Sequence, residues 1–350
     1  MPLDLGVTTR RLFFPMYNMG VRIFIQAAEQ ISIQQPLSEE WMQQPVWHQE
    51  AFVQAQNPVF RDYMAPNEAR RMGNLMKRAL VTTLKVLNET GIEHPDAIIT
   101  GTCLGSLDYT ERLLSAMTEN NEETLSPTYF MQSTHNTVGS ALAIYTKTHG
   151  YNTTYSHGCK SFDLTVLDAW MQMQLGRIST ALVGGHDEMV ESYFQLLQKT
   201  GYVGTPGMAP CGEVAMSMML TTHEHADNLC ELAHISMGPC SDIDFQQIDV
   251  IMTGVNGQPA NDAPYQQLLS QWPGKPHVQY KHLFGENFTA PALGLYAAAH
   301  CLKQGCIPSY MFTADSPVLG HELRNILFVN HPSPNTHHPS PNTYILLKTV

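Results

Sequence analysis

Short apolar runs alternate with segments of helical periodicity along most of the chain, and glycine-rich turns separate them. Strand-like runs occur at 97–100, 153–156, 180–185, 214–221, 231–237, 249–253, 326–330 and 344–348. Helical segments begin near residues 108 and 135 and at residues 160 and 290. Strands that alternate with helices in this way are typical of an α/β fold with a partly parallel sheet.

The pattern is weaker at the start of the chain. Residues 21–25 predict a first strand, whereas residues 36–66 carry prolines, tryptophans and glutamines without clear periodicity and predict an irregular cap. Apolar residues recur at helical spacing over about residues 67–88, and Gly91 ends this helix. We expect residues 1–20 to form an extension before the first strand.

The two halves of the chain repeat the same order of elements, although no residue-level repeat relates them. We therefore predict two pseudo-duplicated halves, residues 21–225 and residues 226–350. The one repeated motif is HPSPNT, at residues 331–336 and again at 338–343. Its prolines and asparagines predict a loop between two strands. Its paired histidines also suggest a metal site, but no carboxylate or thiol lies nearby in the sequence, so we favour the loop.

The composition excludes several classes of protein. Acidic residues outnumber basic ones by 31 to 19 and no basic run occurs, so no nucleic-acid partner is expected. No run of about 18 apolar residues occurs, so we expect no membrane span. The start of the chain, through Pro15, is too short and broken for a secretory signal core. Seven cysteines without a CxxC pair indicate a reducing, cytoplasmic location, and we expect neither a metal nor a cofactor.

One cysteine lies where a strand ends and a helix begins. Cys159 follows the strand-like run 153–156 and precedes the helical segment 160–175. Backbone N–H groups at a helix N-terminus favour a thiolate, and they can also bind the oxyanion that forms when a thioester is attacked. Gly158 permits the tight turn that exposes the sulfur. Cys159 is therefore a candidate nucleophile, although most cysteines are small buried apolar residues.

An ordered series of motifs resembles the β-ketoacyl synthases. Residues 150–185, which include Cys159, have the strand, active cysteine, long helix and LG…ALVGG strand of that family in the same order and at similar spacing. Three further motifs are similar to the family's ARRM helix, GT-x-x-G loop and GEG turn: NEARRM at 67–72, TGTCLG at 100–105 and GE at 212–213. The resemblance covers about residues 21–302.

The resemblance implies a thiolase-like fold, in which the two pseudo-duplicated halves form a layered α-β-α-β-α core. It also implies that Cys159 accepts an acyl group and that the donor is acyl carrier protein or acyl-CoA. Similarity to short, histidine-free synthase-like chains indicates the aryl-polyene or flexirubin type of pigment pathway.

Both active-site histidines of the family are replaced here. Family synthases use Cys-His-His, or Cys-His-Asn in the initiating branch. Asn256 occupies the first histidine's place, and Glu286 occupies the second's, in a motif that begins with Lys281. Asn256 can still donate a hydrogen bond to a developing enolate, whereas ionised Glu286 only accepts hydrogen bonds and would repel it. Structural roles are equally open: a turn for Asn256, and an ion pair with Lys281 for Glu286. The family's GFGGTN turn is also missing after Asn330.

A histidine from elsewhere could substitute for the missing pair. The candidates are His157, two residues before Cys159, His135 at a helix start, and His186 after two glycines. Each of them is more often a structural histidine than a catalytic one.

Two functions are compatible with these features. The first is a β-ketoacyl synthase-like acyltransferase that loads an acyl group on Cys159 and then condenses or transfers it, in fatty acid or polyketide-type biosynthesis. The alternative is a catalytically impaired, chain-length-factor-like subunit that partners a complete ketosynthase. Charged residues form only 14% of the chain, which favours a large interface, in a homodimer or in a heterodimer with another ketosynthase. Arg70, Arg71, Lys77 and Arg78 form either a docking patch for an acidic carrier protein or a solvated helix face.

Overall fold

The computed structural model describes residues 20–70, 72–119, 125–238, 243–332 and 341–350. Within these ranges the chain forms ten strands, ten α-helices and four short 3₁₀ turns. The strands are β1 (Phe24–Ile31), β2 (Ala97–Gly101), β3 (Tyr151–Tyr155), β4 (Thr180–Asp187), β5 (Val214–Thr221), β6 (Cys230–Met237), β7 (Val250–Thr253), β8 (His277–Gln279), β9 (Asn325–Asn330) and β10 (Thr343–Lys348). The helices are α1 (Pro66–Ala69), α2 (Asn74–Thr90), α3 (Leu107–Glu119), α4 (Pro127–Ser133), α5 (Thr137–Thr146), α6 (Ser161–Gln174), α7 (Glu191–Lys199), α8 (Pro259–Leu269), α9 (Lys281–Phe284) and α10 (Pro291–Gln304). In the part of the chain described here, no helix combines the length and the apolar character needed to cross a membrane.

The strands form one sheet in the order β3-β2-β4-β5-β1-β6-β10-β9-β7-β8. This order is symmetric about its centre, because β1–β5 and β6–β10 are arranged in the same way on the two sides. In each half three strands are parallel and two more are joined by antiparallel pairing. The halves meet where β1 pairs with β6 through Phe24–Glu231 and Ile25–Cys230. The predicted α/β fold with two pseudo-duplicated halves is confirmed, and the domain boundary at residues 225 and 226 stays a prediction.

Helices form three layers around the two half-sheets. α6 and α10 pack against each other and share one apolar core with strands of both halves. α2 and α5 cover the outer face of the first half, and α8 covers that of the second. α10 is buried on all sides from Pro291 to Leu302, as expected of an apolar helix enclosed by two sheets. A Cβ atom at Gly294 would lie 2.5 Å from the ring of Phe328, so only glycine allows this close approach. The helices and half-sheets thus form the expected α-β-α-β-α layers.

Two elements near the start of the chain differ from the sequence prediction. The first strand begins at Phe24 rather than Val21 and continues to Ile31, because polar Glu29 and Gln30 are buried within it. The helix predicted over residues 67–88 is divided into the short α1 and the long α2.

Five elements were not predicted: α4, α7, α8, the short α9 and the three-residue β8. α8 contains Pro264 and the buried polar residues Asn261 and Asp262, so its sequence resembles a loop. The predicted extension at residues 1–19 and residues 333–340 of the HPSPNT doublet lie outside the described residues.

The residues with candidate chemistry follow the carboxyl ends of parallel strands. Cys159 follows β3, Asn256 follows β7, and Glu286 follows β8 and α9. Asn330 is the last residue of β9. Ligand sites of α/β proteins occur at this edge of the sheet.

Candidate active site

The turn between β3 and α6 presents Cys159; residues 156–161 are called the cysteine elbow below. Gly158 has a φ of +58°, a left-handed conformation that is strained for other residues. Ser161 closes the turn: its Oγ accepts a hydrogen bond from the N–H of His157 at 2.8 Å and donates one to the carbonyl of Gly158 at 2.7 Å. α6 begins at Ser161, and Cys159 is half-buried and forms no disulfide bond with another described cysteine. The elbow therefore holds a thiol beside the N-terminus of a helix, where the helix dipole favours negative charge.

A buried polar network fixes the elbow to the second half of the molecule. Lys160 Nζ lies 2.6 Å from Oγ1 of Thr343 and 3.5 Å from Oδ2 of Asp163. The amide of Asn330 donates to Oδ2 of Asp163 at 2.8 Å and to the carbonyl of Cys159 at 3.2 Å. Burial raises the pKa of Asp163 and lowers that of Lys160, and their mutual attraction opposes both shifts. The position of Cys159 thus depends on β9 and β10 as well as on its own half.

Asn256, Lys281 and Glu286 are in direct contact and form what is called the carboxylate cluster below. Lys281 Nζ lies 2.8 and 3.0 Å from the two oxygens of Glu286, and the amide of Asn256 donates to Glu286 Oε2 at 2.5 Å. Asn256 Oδ1 accepts from the N–H of Gln258 and from the amide of Asn261. All three side chains of the cluster are buried. The two residues at the family's histidine positions therefore bond to each other.

Tyr265 of α8 lies between the cysteine elbow and the carboxylate cluster. It is fully buried, and its hydroxyl accepts the backbone N–H of His331 at 2.8 Å. Burial is the main cause that raises the pKa of Tyr265, and the charges of Glu286 and Cys159 raise it further. The hydroxyl of Tyr265 is thus neutral, and the charges of both Glu286 and Cys159 affect its pKa.

Sequence reasoning did not assign His331 to the site. The imidazole Nδ1 lies 2.6 Å from Oδ1 of Asn342, and the ring packs edge-on against Tyr265 with centroids 6.0 Å apart. Burial lowers the pKa of His331, and the ammonium groups of Lys160 and Lys281 lower it further. One signal was present in the sequence: His331 directly follows β9, at the same edge as Cys159.

The three histidines proposed from the sequence have different surroundings. His157 is exposed beside the elbow, and exposed His135 has its Nε2 3.2 Å from the carbonyl of Cys103. Burial raises the pKa of Cys103, and the charges of Asp187 and Cys159 raise it further. His135 therefore contacts a residue that lies close to the nucleophile. His186 is buried, and neither ring nitrogen has a hydrogen-bond partner within the described ranges. Burial lowers its pKa to about 3, so His186 is a neutral core residue.

Comparison with known families gives one match. A family model described as the N-terminal domain of β-ketoacyl synthases matches residues 39–243, more than half of the chain. Among curated proteins, none matches the chain by sequence.

Several solved structures have a similar fold at low sequence identity. The ishigamide ketosynthase/chain length factor is 17% identical with a TM-score of 0.76, over 94% of this chain and 99% of that chain. A ketosynthase in complex with its chain length factor from Xenorhabdus doucetiae is 14% identical with a TM-score of 0.73, over 95% and 99% of the two chains. A β-ketoacyl synthase from Burkholderia phymatum is 14% identical with a TM-score of 0.70, over 94% and 99%. These likenesses establish the thiolase-like fold expected from the sequence.

Proposed function

The chain belongs to the β-ketoacyl synthase family, and from this premise we propose that it is an acyltransferase that accepts an acyl group as a thioester on Cys159. The observation that carries the proposal is the half-buried thiol at the N-terminus of α6, at the carboxyl edge of parallel strands. We propose acyl carrier protein as the donor, with acyl-CoA as the alternative. The acyl group belongs, on this proposal, to polyketide-type biosynthesis, of which the aryl-polyene and flexirubin pathways are examples.

The proposed reaction exchanges one thioester for another. The sulfur of Cys159 attacks the donor's carbonyl carbon, the carbon–sulfur bond of the donor breaks, and the donor leaves as a free thiol. The dipole at the N-terminus of α6 is suited to stabilise the negative oxygen of the intermediate.

Decarboxylative condensation needs a further group that holds the enolate of the extender unit. The amide of Asn256 already donates to Glu286, and the carboxylate of Glu286 is an acceptor that repels a second negative charge. We therefore propose that the chain alone transfers acyl groups and does not condense them through these two positions.

Intact-mass spectrometry tests the proposal. Purified protein is incubated with an acylated carrier protein and, separately, with acyl-CoA. We expect an acyl adduct that is absent in Cys159→Ala and retained in Cys103→Ala, a matched control because Cys103 is also half-buried. An adduct that persists in Cys159→Ala, or no adduct from either donor, contradicts the proposal.

A second candidate function, a partner subunit for a complete ketosynthase, rests on one edge of the sheet that the described residues form. β3 is the last strand at that edge, and α5 packs beside it. Exposed apolar side chains continue this surface on α4, α5 and β3: Phe130, Met131, Ile144 and Tyr151. A strand at the edge of the described sheet, with apolar surroundings, is suited to pair with another chain. Two of the similar structures contain a ketosynthase with a chain length factor.

Co-purification with a ketosynthase that retains both histidines tests the second candidate. Ile144 is 79% exposed on α5, so Ile144→Asp should abolish the complex without unfolding the chain. Val318→Asp is the control, because Val318 is also exposed but lies on a loop. Equal recovery of both variants with the ketosynthase contradicts a partner role for this edge.

The cationic patch proposed for carrier docking is smaller than the sequence suggests. Arg78 is buried and forms an ion pair with Glu213 at 2.8 Å, so it is not available to a partner. Lys77 lies over the ring of Phe60, and Arg71 is outside the described residues. Of the four residues, Arg70 and Lys77 are left as docking candidates.

A further inference from the structure

We propose that His331 is the base that removes the thiol proton of Cys159 when an acyl group is loaded, in a site that lacks the two usual histidines. The inference rests on the proposed function, because it assigns a role in the acylation of Cys159. His331 follows β9 in the second half of the molecule, far from Cys159 in the sequence.

Asn330 and His331 contact the cysteine elbow on one side and Tyr265 on the other. On one side, the amide of Asn330 donates to the carbonyl of Cys159 at 3.2 Å. On the other side, the N–H of His331 donates to the hydroxyl of Tyr265 at 2.8 Å, and the two rings are in contact. The charges of both Cys159 and Glu286 raise the pKa of Tyr265. His331 therefore lies where the two parts of the site meet.

A hydrogen bond sets the tautomer of the imidazole. Nδ1 of His331 lies 2.6 Å from Oδ1 of Asn342, while the amide nitrogen of Asn342 donates to the hydroxyl of Tyr344 at 3.1 Å. With Oδ1 as the acceptor, Nδ1 of the ring carries the proton. The lone pair of the neutral ring is then on Nε2, which is the atom that accepts a proton.

The charges around the ring keep it neutral near pH 7. Lys160 acts on His331 from the elbow side, and Lys281 acts from the cluster side. The carboxylates of Asp163 and Glu286 are each paired with one of these lysines. Burial and the two ammonium groups lower the pKa of His331 below its ordinary value of about 6.5, although the hydrogen bond at Nδ1 opposes them. His331 is thus in its basic form at neutral pH.

The proposed step balances without a further reactant. The proton passes from Sγ of Cys159 to Nε2 of His331, directly or through one water molecule, as Sγ bonds to the carbonyl carbon of the thioester. The carbon–sulfur bond of the donor then breaks, and the departing sulfur takes the proton from the imidazolium. The donor leaves as a thiol, and His331 is neutral again.

The test compares pH profiles of the full-length protein and two variants. His331→Phe keeps an aromatic ring against Tyr265 but has no nitrogen. His48→Phe is the matched control, because His48 is also half-buried, with its Nε2 2.8 Å from the carbonyl of Ile33. Between pH 5 and 8, we measure acyl loading on Cys159 and, separately, its alkylation by iodoacetamide, which needs no acyl donor.

We expect the wild type and His48→Phe to show a plateau near neutral pH that declines below the pKa of His331. In His331→Phe both reactions should be about 10²-fold slower at pH 7. Their rates should also keep rising with pH and show no plateau at the pKa of His331, because only preformed thiolate reacts.

Different outcomes separate the two proposals. Equal loading rates and profiles in the wild type and His331→Phe overturn the role of His331 and leave acyl transfer to Cys159 intact. Absence of any loading, with alkylation profiles that still differ, overturns the proposed function and supports His331 as the base. If His331→Phe does not fold, a wild-type profile without a plateau overturns the role of His331.

Discussion

The cysteine elbow and the carboxylate cluster lie at the same edge of the sheet, in halves with the same strand order, yet their polar groups are used differently. In the elbow, bonds to main-chain groups hold the turn, and Cys159 is half-buried. In the cluster, the side chains of Asn256, Lys281 and Glu286 bond to one another. The site thus keeps its nucleophile, while the residues at the two histidine positions have a structural role.

If the carboxylate cluster is structural, its disruption should cost stability. Lys281→Met leaves the carboxylate of Glu286 buried without its cation, and we expect a loss of about 3–5 kcal/mol in the free energy of unfolding. Urea denaturation measures it. The double variant Lys281→Met/Glu286→Leu should recover most of the loss, because no charge is then left unpaired. A single variant as stable as the wild type would show that the cluster is not a structural unit.

The second prediction concerns the return of histidines to the two positions in the carboxylate cluster. Asn256→His combined with Glu286→His places hydrogen-bond donors where the family has them and removes the negative charge. We expect decarboxylation of a malonyl thioester to increase by about 10²-fold, the usual value of one such donor. Carbon dioxide release is the measurement, and each single variant is a control. No increase in a folded double variant would mean that the lost histidines do not explain the proposed lack of condensation.

The third prediction isolates the backbone of the cysteine elbow. A Cβ atom at Gly158 would meet no atom within 4 Å, so Gly158→Ala costs only the strain of its positive φ, about 1–2 kcal/mol. Gly176→Ala, after α6, has the same surroundings at a φ of +66° and should cost the same. Both variants are unfolded in urea and assayed for acyl loading. Only Gly158→Ala should slow loading, and equal loading rates would argue against a precise elbow.

The last prediction separates the pH dependence of the site from that of the whole fold. Burial is the main cause that raises the pKa of Glu29 on β1 to about 8, and Glu89 contributes. In the unfolded chain the pKa is about 4.3, so between these values the native state binds the extra proton. Glu29 therefore stabilises the fold below about pH 4.3, and this contribution is lost as pH rises to about 8.

The variant Glu29→Gln should not show this loss of stability as the pH rises. We expect the melting temperature of the wild type to fall from pH 5 to pH 8 more steeply than that of the variant, with unchanged loading of Cys159. Parallel curves would show that Glu29 does not titrate in this range.

The sequence predicted the features that depend on short segments. The turn at Gly158 and Cys159, β5 and the long α6 follow from local patterns of apolar residues and glycine. The places of Asn256 and Glu286 followed from family motifs. Contacts between distant segments could not be derived in this way. The bond of Lys160 to Thr343 joins residues 183 positions apart, and only the packing of the two halves creates it.

His331 was missed for the same reason. Its neighbours Tyr265 and Lys281 come from α8 and α9, and α8 has an internal proline that hid it from the helical pattern. β1 was placed too early because Glu29 and Gln30 are polar, although the fold buries both.

The link between the elbow and β10 has a consequence for the synthesis of the protein. The ribosome makes Cys159 long before Thr343, and the ammonium of Lys160 has no hydroxyl to bind until the last strand has emerged and paired. In the nascent chain, the residues next to Cys159 therefore lack one of the hydrogen bonds that position them. Premature capture of acyl groups is disfavoured, and we expect a truncation that removes β10 to inactivate a cysteine that is encoded in the other half.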